Sequence, residues 1–246
     1  MKNNLLLLVI LLGFYGCVTV YNPATQKEEI YFVSDEEEIA MGKNLAQEII
    51  NNNKIIRDRN KLAYLVKVGE EIANVCDRNY LDYHFYILDK EGMNAFSLPG
   101  GYIFVNDGLL EKTTEGELAF VLAHEIGHIC ARHSVKRLQA SLGASIVLSL
   151  ALKGIDDFLI KRAIDIVYNV VSLGYARKDE FLADALAVKY TYKAGYNPLR
   201  GISLMEKLKK NAHNDYTLVF LRSHPPVDER IANIKRKIEG LKEDSS

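Results

Sequence analysis

Two histidines, His124 and His128, stand four residues apart in a stretch of chain that is apolar on almost every side. Residues at this spacing lie about 40° apart around the axis of a helix, so both imidazole rings point toward one spot. Burying the two rings there without partners would cost several kcal/mol. A metal ion bound by neutral imidazole nitrogens removes that cost, and Zn²⁺ is well suited to such donors. The spacing therefore predicts a zinc site within a buried helix.

The residue after the first histidine is Glu125, which completes a His-Glu-x-x-His pattern. On a helix its carboxylate lies to the side of the two imidazoles, where it can reach a metal-bound water without coordinating the metal itself. A carboxylate in that position can act as a general base on a water whose pKa the metal has lowered. Only six histidines occur in 246 residues, which makes a chance match improbable. The pattern indicates a catalytic metal.

A catalytic zinc needs a third protein ligand and one open position. A third histidine six residues after His128 would fall at Ser134, and His133 is rotated about 140° away from the metal on a continuous helix. A later helical segment offers Glu180 and Asp184, which share one face. One carboxylate can ligate the metal while the other accepts the spare N–H of a ligand histidine. We assign Glu180 as the ligand and Asp184 as the partner of a ligand histidine.

The rest of the chain predicts an α+β domain that is mostly helical, with a small sheet between two sets of helices. Ser34, with Glu37 three residues later, is the pattern of a capping box at a helix start. Alternating residues at 83–88 predict a strand buried on both faces. A strand pair at 94–98 and 102–105, bent at glycines, is predicted to follow. The predicted helices are 34–51, 61–75, 115–133, 135–153, 157–173, 178–194, 198–211 and 227–241.

The N-terminus has a basic residue followed by a ten-residue apolar run that ends at Phe14. A bilayer span needs about 20 apolar residues, so this length is typical of the core of a secretory signal. Gly16 and Cys17 follow, and the segment resembles the lipobox of bacterial lipoproteins, although Phe14 stands where leucine is usual. A plain secretory signal, or an uncleaved anchor with a chance cysteine, is the alternative. The predicted organisation is a lipoprotein signal peptide at 1–16, a tether at 17–33 and one metallopeptidase domain at 34–246.

Composition narrows the range of partners. The formal net charge is -1, so no overall field favours nucleic acid.

The apolar stretch 141–152 is too short and too soon followed by charge to cross a membrane, and we expect a core or interfacial helix there. Export would leave Cys76 and Cys130 in a compartment that permits disulfides. Their spacing leaves pairing open, and we expect two unpaired buried thiols.

Several short motifs between Ser34 and the C-terminal helix are typical of one family of enzymes. They are Asn94-Ala95-Phe96 with Pro99-Gly100-Gly101, the His124–His128 segment followed by Arg132-His133, Tyr175-Ala176-Arg177-Lys178-Asp179-Glu180 with Ala183-Asp184, and His224-Pro225-Pro226 before Glu229-Arg230. Together they resemble the gluzincin metallopeptidases that include HtpX and the CAAX prenyl endopeptidases. The resemblance is strongest to the soluble periplasmic branch, whose members carry lipoprotein signals. Ala176 stands where that family usually has serine.

The resemblance implies a zincin-type domain with one Zn²⁺ per chain and an edge strand beside the metal helix. The expected edge strand consists of Gly101, Tyr102, Ile103 and Phe104, and it would pair with an extended substrate. In such enzymes a histidine at the position of His224 lies near the metal. It would either stabilise the oxyanion of the tetrahedral intermediate or occupy the open metal position as a latch. The remaining histidines, among them His84, His133 and His213, are interpreted as structural or surface residues.

The implied function is a membrane-tethered zinc endopeptidase at the periplasmic face of a bacterial envelope. Its expected substrates are unfolded or misassembled envelope proteins. The outer membrane is favoured over the inner one, and the outer-membrane assembly machinery is an expected partner. One alternative is a lipoprotein chaperone that keeps zinc for structure only, but such a site has no use for Glu125. A second alternative, an integral-membrane prenyl-peptide processor, is disfavoured by the missing spans.

Overall fold

A computed structural model describes residues 18–143, 147, 149–150, 156–173, 175–210 and 227–243. Over these residues helices dominate, and the strands form a hairpin and a four-stranded sheet. The strands are β1 (Val18–Asn22), β2 (Lys27–Tyr31), β3 (Ile55–Ile56), β4 (His84–Leu88), β5 (Ala95–Leu98) and β6 (Tyr102–Asn106). The helices are α1 (Asp35–Asn52), α2 (Arg59–Ala73), α3 (Asp107–Lys112), α4 (Glu115–Cys130), α5 (His133–Leu142), α6 (Asp157–Leu173), α7 (Arg177–Lys193), α8 (Leu199–Lys210) and α9 (Val227–Glu243). The predicted α+β class is confirmed.

The four-stranded sheet separates two apolar cores. Along β6, Ile103 and Val105 face a core built with α2, α4, α7 and α8. The alternate residues Tyr102 and Phe104 face a second core built with α1 and α5. This alternation follows from the two-residue period of a strand, because both faces of the sheet are covered by helices. The prediction of a sheet between two sets of helices is confirmed.

The edge of this sheet differs from the prediction. The strand order is β3-β4-β6-β5, so β6 is hydrogen-bonded on both sides, in parallel to β4 and antiparallel to β5. The proposed edge strand Gly101–Phe104 is therefore wrong, and within the described residues the free edge belongs to β5 on that side. Gly100, with a φ of 72°, lies in the tight turn that folds β5 against β6. The pairing of β6 with β4 is non-local, and local periodicity does not report it.

The segment expected to be a tether is an antiparallel hairpin. Strand β1 pairs with β2 from Val18↔Tyr31 to Asn22↔Lys27. The amide of Asn22 is buried and donates to the backbone carbonyl of Cys130 at 3.1 Å. The ring of Tyr31, also buried, lies 3.9 Å from the guanidinium carbon of Arg132. Residues 18–31 therefore pack on the C-terminal end of α4, while Cys17 lies outside the described residues.

The long helix predicted at 115–133 ends early. Helix α4 stops at Cys130, and Arg132 adopts left-handed backbone angles, with φ 54° and ψ 34°. Such angles are uncommon for a residue with a side chain and are kept only where neighbours hold them. Here the Nε atom of Arg132 lies 2.7 Å from the buried carboxylate of Glu38. Helix α5 then starts at His133, in a new direction.

The apolar stretch 141–152 lies partly outside the described residues. Helix α5 ends at Leu142, where Gly143 has a φ of 79°. Val147 and Leu150 are buried in the same core as α1 and α5. Within the described ranges, no helix combines the length and the apolar character that a bilayer span requires.

Candidate metal centre

Three buried side chains converge between α4 and α7. The Nε2 atoms of His124 and His128 are 3.1 Å apart. The carboxylate oxygens of Glu180 lie 3.5 Å from the first of these nitrogens and 3.6 Å from the second. Four donors at about 2.1 Å around a tetrahedral Zn²⁺ lie about 3.4 Å from one another. The spacing and the donor types of these three residues therefore fit one zinc ion.

The close approach of α4 and α7 brings these residues together. Gly127, between the two histidines, faces the backbone of Ala183, and a Cβ atom built on Gly127 would lie 3.2 Å from the Ala183 carbonyl oxygen. The same Cβ would lie 3.2 Å from the Cβ of Leu186. A side chain at this position would push the helices apart. Because Gly127 has no side chain, the two helices lie close enough for Glu180 to reach the histidine pair.

Glu125 is buried beside the ligand group. Its carboxylate accepts a hydrogen bond of 2.9 Å from the hydroxyl of Ser97. Ser97 belongs to β5, which forms an edge of the sheet among the described residues, so a side-chain contact joins this edge directly to the metal helix. The carboxylate is thus oriented by a group outside α4. The hydrogen bond from Ser97 restricts the orientation of the carboxylate, as a general base requires.

The Nδ1 side of His124 faces a buried ion pair. Nδ1 lies 3.1 Å from a carboxylate oxygen of Asp184. Arg230 on α9 donates to both oxygens of that carboxylate, from Nη2 at 2.6 Å and from Nε at 2.9 Å. Because both residues are almost fully buried, each offsets the charge of the other. The pair keeps Asp184 available as an acceptor for the N–H of His124.

The pKa values reflect this environment. Burial and the Arg230 charge lower the pKa of His124, but hydrogen bonds to Asp184 and Glu180 outweigh them and raise it to about 9. Burial raises the pKa of Asp184, but the charge and hydrogen bonds of Arg230 outweigh it and hold that pKa below its usual range. The surroundings of His124 therefore favour its protonated form, and a metal that binds this imidazole must displace the proton.

The Nδ1 side of His128 faces His133. The two Nδ1 atoms are 2.8 Å apart, and both rings are buried. Burial, together with the charge of Lys136, lowers the pKa of His133 to about 3, so this ring is neutral near pH 7. The ring of Tyr175 stacks on His128 with a centroid distance of 4.0 Å, and its hydroxyl shares a hydrogen bond of 2.7 Å with Ser134. The prediction that His133 points away from the metal ligands is wrong, because α4 does not continue through Arg132.

A model of Peptidase family M48 matches residues 59–238. The chain belongs to this family. This is a family of zinc metalloproteases, and the donor group at His124, His128 and Glu180 fits the metal that the family uses.

The chain is also similar to several metalloproteases. The chain is 28% identical to the mitochondrial metalloendopeptidase OMA1 of Schizosaccharomyces pombe, over 92% of this chain and 67% of that protein. It is 24% identical to the metalloprotease LoiP of Escherichia coli, over 87% of this chain and 86% of that protein. It is 23% identical to the beta-barrel assembly-enhancing protease of Yersinia pestis, over 85% of this chain. The matched region is 46% of the Yersinia protein, so the chain spans about half the length of that relative.

Among solved structures, the Ste24p protein of S. mikatae overlaps 78% of this chain and 55% of its own, with a TM-score of 0.45 and 21% identity.

The structure brings together five of the residues predicted from sequence: His124, Glu125, His128, Glu180 and Asp184. It places Gly101–Phe104 inside the sheet or its turn rather than at an edge. His224 and Cys17 lie outside the described residues. Ser97, Tyr175 and Arg230 had no predicted role, and His133 was interpreted as a structural or surface residue. All but Ser97 stand in the M48-like motifs quoted above, and that was the only signal for them.

Proposed function

We propose that this chain is a zinc metalloendopeptidase that is tethered to a bacterial envelope membrane by a lipid on Cys17. Its proposed substrates are extended segments of unfolded or misassembled envelope proteins. The observation that carries the proposal is a buried carboxylate, Glu125, next to a three-donor metal group but not part of it. A purely structural zinc site would have four protein ligands and no such carboxylate.

In the proposed reaction, His124, His128 and Glu180 hold the zinc. The bound metal supplies a polarised carbonyl and a water of lowered pKa. Glu125 takes the proton of the attacking water and passes it to the leaving amine. Ser97 orients the Glu125 carboxylate through the hydrogen bond of 2.9 Å. His224 remains a proposed helper, as an oxyanion donor or as a latch on the open metal position.

The free edge of β5 supports binding of extended polypeptide. An edge strand offers unpaired backbone groups, which bind a substrate strand with little demand on its sequence. Ser97 lies on β5 and contacts Glu125, so a substrate paired with this strand would pass beside the proposed base. In folded proteins most backbone groups are already paired, whereas unfolded chains offer extended segments with free groups, and the proposed selectivity for unfolded chains follows from this.

The envelope location is proposed from the N-terminal sequence and from the relatives. The apolar run that ends at Gly16-Cys17 supports export and lipidation. A bacterial relative is named for enhancing beta-barrel assembly, which supports a link to the outer-membrane assembly machinery. The proposed domain organisation keeps a signal peptide at 1–16 and the metallopeptidase domain from 34 onward. The hairpin between them joins Cys17 to the body of the enzyme.

The test uses one disulfide-containing protein in two forms, native and reduced with its cysteines carboxymethylated. The zinc-loaded chain should cleave the unfolded form and leave the native form intact. Glu125→Gln, treated in the same way, should cleave neither form. The chaperone alternative predicts that the native chain binds the unfolded form and prevents its aggregation without cutting it. Binding of the unfolded form without cleavage would contradict the proposed function.

A further inference from the structure

The two ligand histidines of the metal group are held in different ways. His124 faces the carboxylate of Asp184, whereas His128 faces another imidazole, that of His133, at 2.8 Å. The rings of His128 and His133 are inclined by 69°, with centroids 4.9 Å apart. The contact joins the Nδ1 atoms, so it leaves the Nε2 atom of His128 directed at His124 and Glu180.

The protons of this pair follow from the geometry. When His128 ligates a metal through Nε2, the proton of its neutral ring lies on Nδ1. That N–H donates to the Nδ1 atom of His133, which must therefore be the acceptor. The proton of His133 then lies on Nε2, which is 3.8 Å from a carboxylate oxygen of Asp179. Donation therefore runs in one direction, from His128 to His133, and the Nε2 proton of His133 is too far from Asp179 for a direct hydrogen bond.

The backbone at Arg132 makes this contact. On a continuous helix His133 would point about 140° away from His128. The left-handed angles of Arg132 end α4 and turn the next residue back toward the metal group. The Arg132 guanidinium is held by Glu38, by the Val33 carbonyl at 3.2 Å and by the ring of Tyr31. Buried contacts thus maintain an uncommon backbone conformation immediately before His133.

We propose that His133 is a positioning residue that fixes the tautomer and the ring orientation of His128 and thereby strengthens zinc binding. It acts through His128 and does not touch the metal. The inference rests on the proposed ligand role of His128. Partners that hold ligand histidines in this way typically change metal affinity by about 10–100-fold when they are removed.

The test measures the zinc dissociation constant by competition with a chromophoric chelator. His133→Leu keeps much of the volume and removes the acceptor, so the dissociation constant should rise by about 10–100-fold. His133→Asn places an amide oxygen near the former Nδ1 position, and its constant should stay within about threefold of the native value. The matched control is His84→Asn, at an exposed histidine on β4, which should leave the constant unchanged.

Two further measurements keep the test decisive. In the zinc-loaded native chain, long-range ¹H–¹⁵N spectra of the histidines should show His133 protonated on Nε2 and His128 on Nδ1. His133 protonated on Nδ1 would overturn the inference even if His133→Leu fails to fold. A folded His133→Leu that binds zinc as tightly as the native chain would also overturn it. His128→Ala should lose zinc, and if it does not, the proposed metal site fails instead.

Discussion

Opposite charges are buried together around the metal group. Glu180, Asp184 and Arg230 are each at most 1% exposed. The two carboxylates face His124 from opposite nitrogens, one from the metal side and one from the far side. Removing one member of such a buried set leaves its partner uncompensated, which costs more than the same change at a surface. The two carboxylates nevertheless have different tasks, and variants can separate them.

We expect Glu180→Gln to lose most of its bound zinc, because an amide is a poor replacement for an anionic ligand. Asp184→Asn should retain zinc with an affinity weakened by about 10–100-fold, since it changes only the partner of a ligand. Metal content after dialysis against a weak chelator distinguishes the two variants. Equal zinc occupancy in both would contradict the assignment of Glu180 as ligand.

The two ligand histidines are predictable from sequence because their geometry is local. Residues four apart on one helix meet regardless of the rest of the fold, as His124 and His128 do. His133 is not predictable in this way, because its direction depends on one left-handed residue held by distant contacts. Arg230 reaches Asp184 from a helix 46 positions away, and spacing along the chain does not report such a contact.

At the scale of elements, capping interactions fix the N-terminal end of α4, the helix that carries the ligand histidines. Thr114 and Glu117 form a capping box, with hydrogen bonds of 2.9 and 3.4 Å. The Glu117 carboxylate also accepts from Ser203 at 3.1 Å and from Lys207 at 2.6 Å on α8. Burial raises the pKa of Glu117, but the hydrogen bond and charge of Lys207, together with the hydrogen bonds from the Thr114 backbone and from Ser203, outweigh it and lower that pKa below its usual range. One side chain thus caps α4 and joins it to α8.

Glu117→Gln removes this charge but keeps a side chain that can complete the capping box. A folded-state pKa that is lowered contributes stability above the unfolded-state pKa, and this is lost as the pH falls through the folded value. At pH 7 the variant should therefore be less stable than the native chain by about 1 kcal/mol. The difference should close below the usual pKa range of a glutamate. Denaturant unfolding at pH 7 and pH 3.5 checks this, and an equal gap at both values would contradict it.

Helix α1 supports the turn that follows β5. A Cβ atom on Gly42 would lie 1.9 Å from the carbonyl oxygen of Pro99, so Gly42→Ala must push the helix or the turn away. We expect a loss of about 1–3 kcal/mol of stability. The matched control is Gly240→Ala on α9, where nothing lies within 4 Å. It should gain up to about 1 kcal/mol, because alanine favours a helix. Thermal denaturation measures the stability of both variants. An equal change in stability would contradict the predicted clash at Gly42.

The helices are predicted well because their periodicity and caps are written locally. The Ser34–Glu37 capping box is present, and α6 has the predicted bounds. The hairpin at 18–31 is missed because its residues are mixed in polarity and its burial comes from contacts with α4 and Arg132. The order of the sheet is missed because a parallel pair such as β4 and β6 depends on a crossover. Local sequence predicts which residues form a strand, but it does not predict which strands lie next to each other.

At the scale of the whole molecule, the position of the hairpin bears on the proposed lipid anchor. Strand β1 begins at Val18 and packs on the end of the metal helix through Asn22. A lipid on Cys17 would therefore hold the metallopeptidase domain close to the membrane surface. A flexible tether would instead let it range away from the membrane.

Cys17→Ser should release the chain from the membrane fraction, because the variant cannot be lipidated. A single acyl chain anchors only marginally, so stable retention requires the full lipid modification. Fractionation of envelopes, with mass spectrometry of the mature N-terminus, checks this prediction. An unmodified N-terminus at another residue in the native protein would contradict the lipid anchor and leave the metal centre untouched.

Glu125 is proposed to perform chemistry next to a zinc that other residues hold. The direct measurement is casein cleavage by the purified chain and by Glu125→Gln, with metal content determined on the same samples. The native chain should cleave casein, lose activity with a chelator and regain it with zinc. Glu125→Gln should keep about one zinc per chain and lose about 10²–10⁴-fold in rate. Cleavage by Glu125→Gln at the native rate, with its zinc retained, would contradict the account.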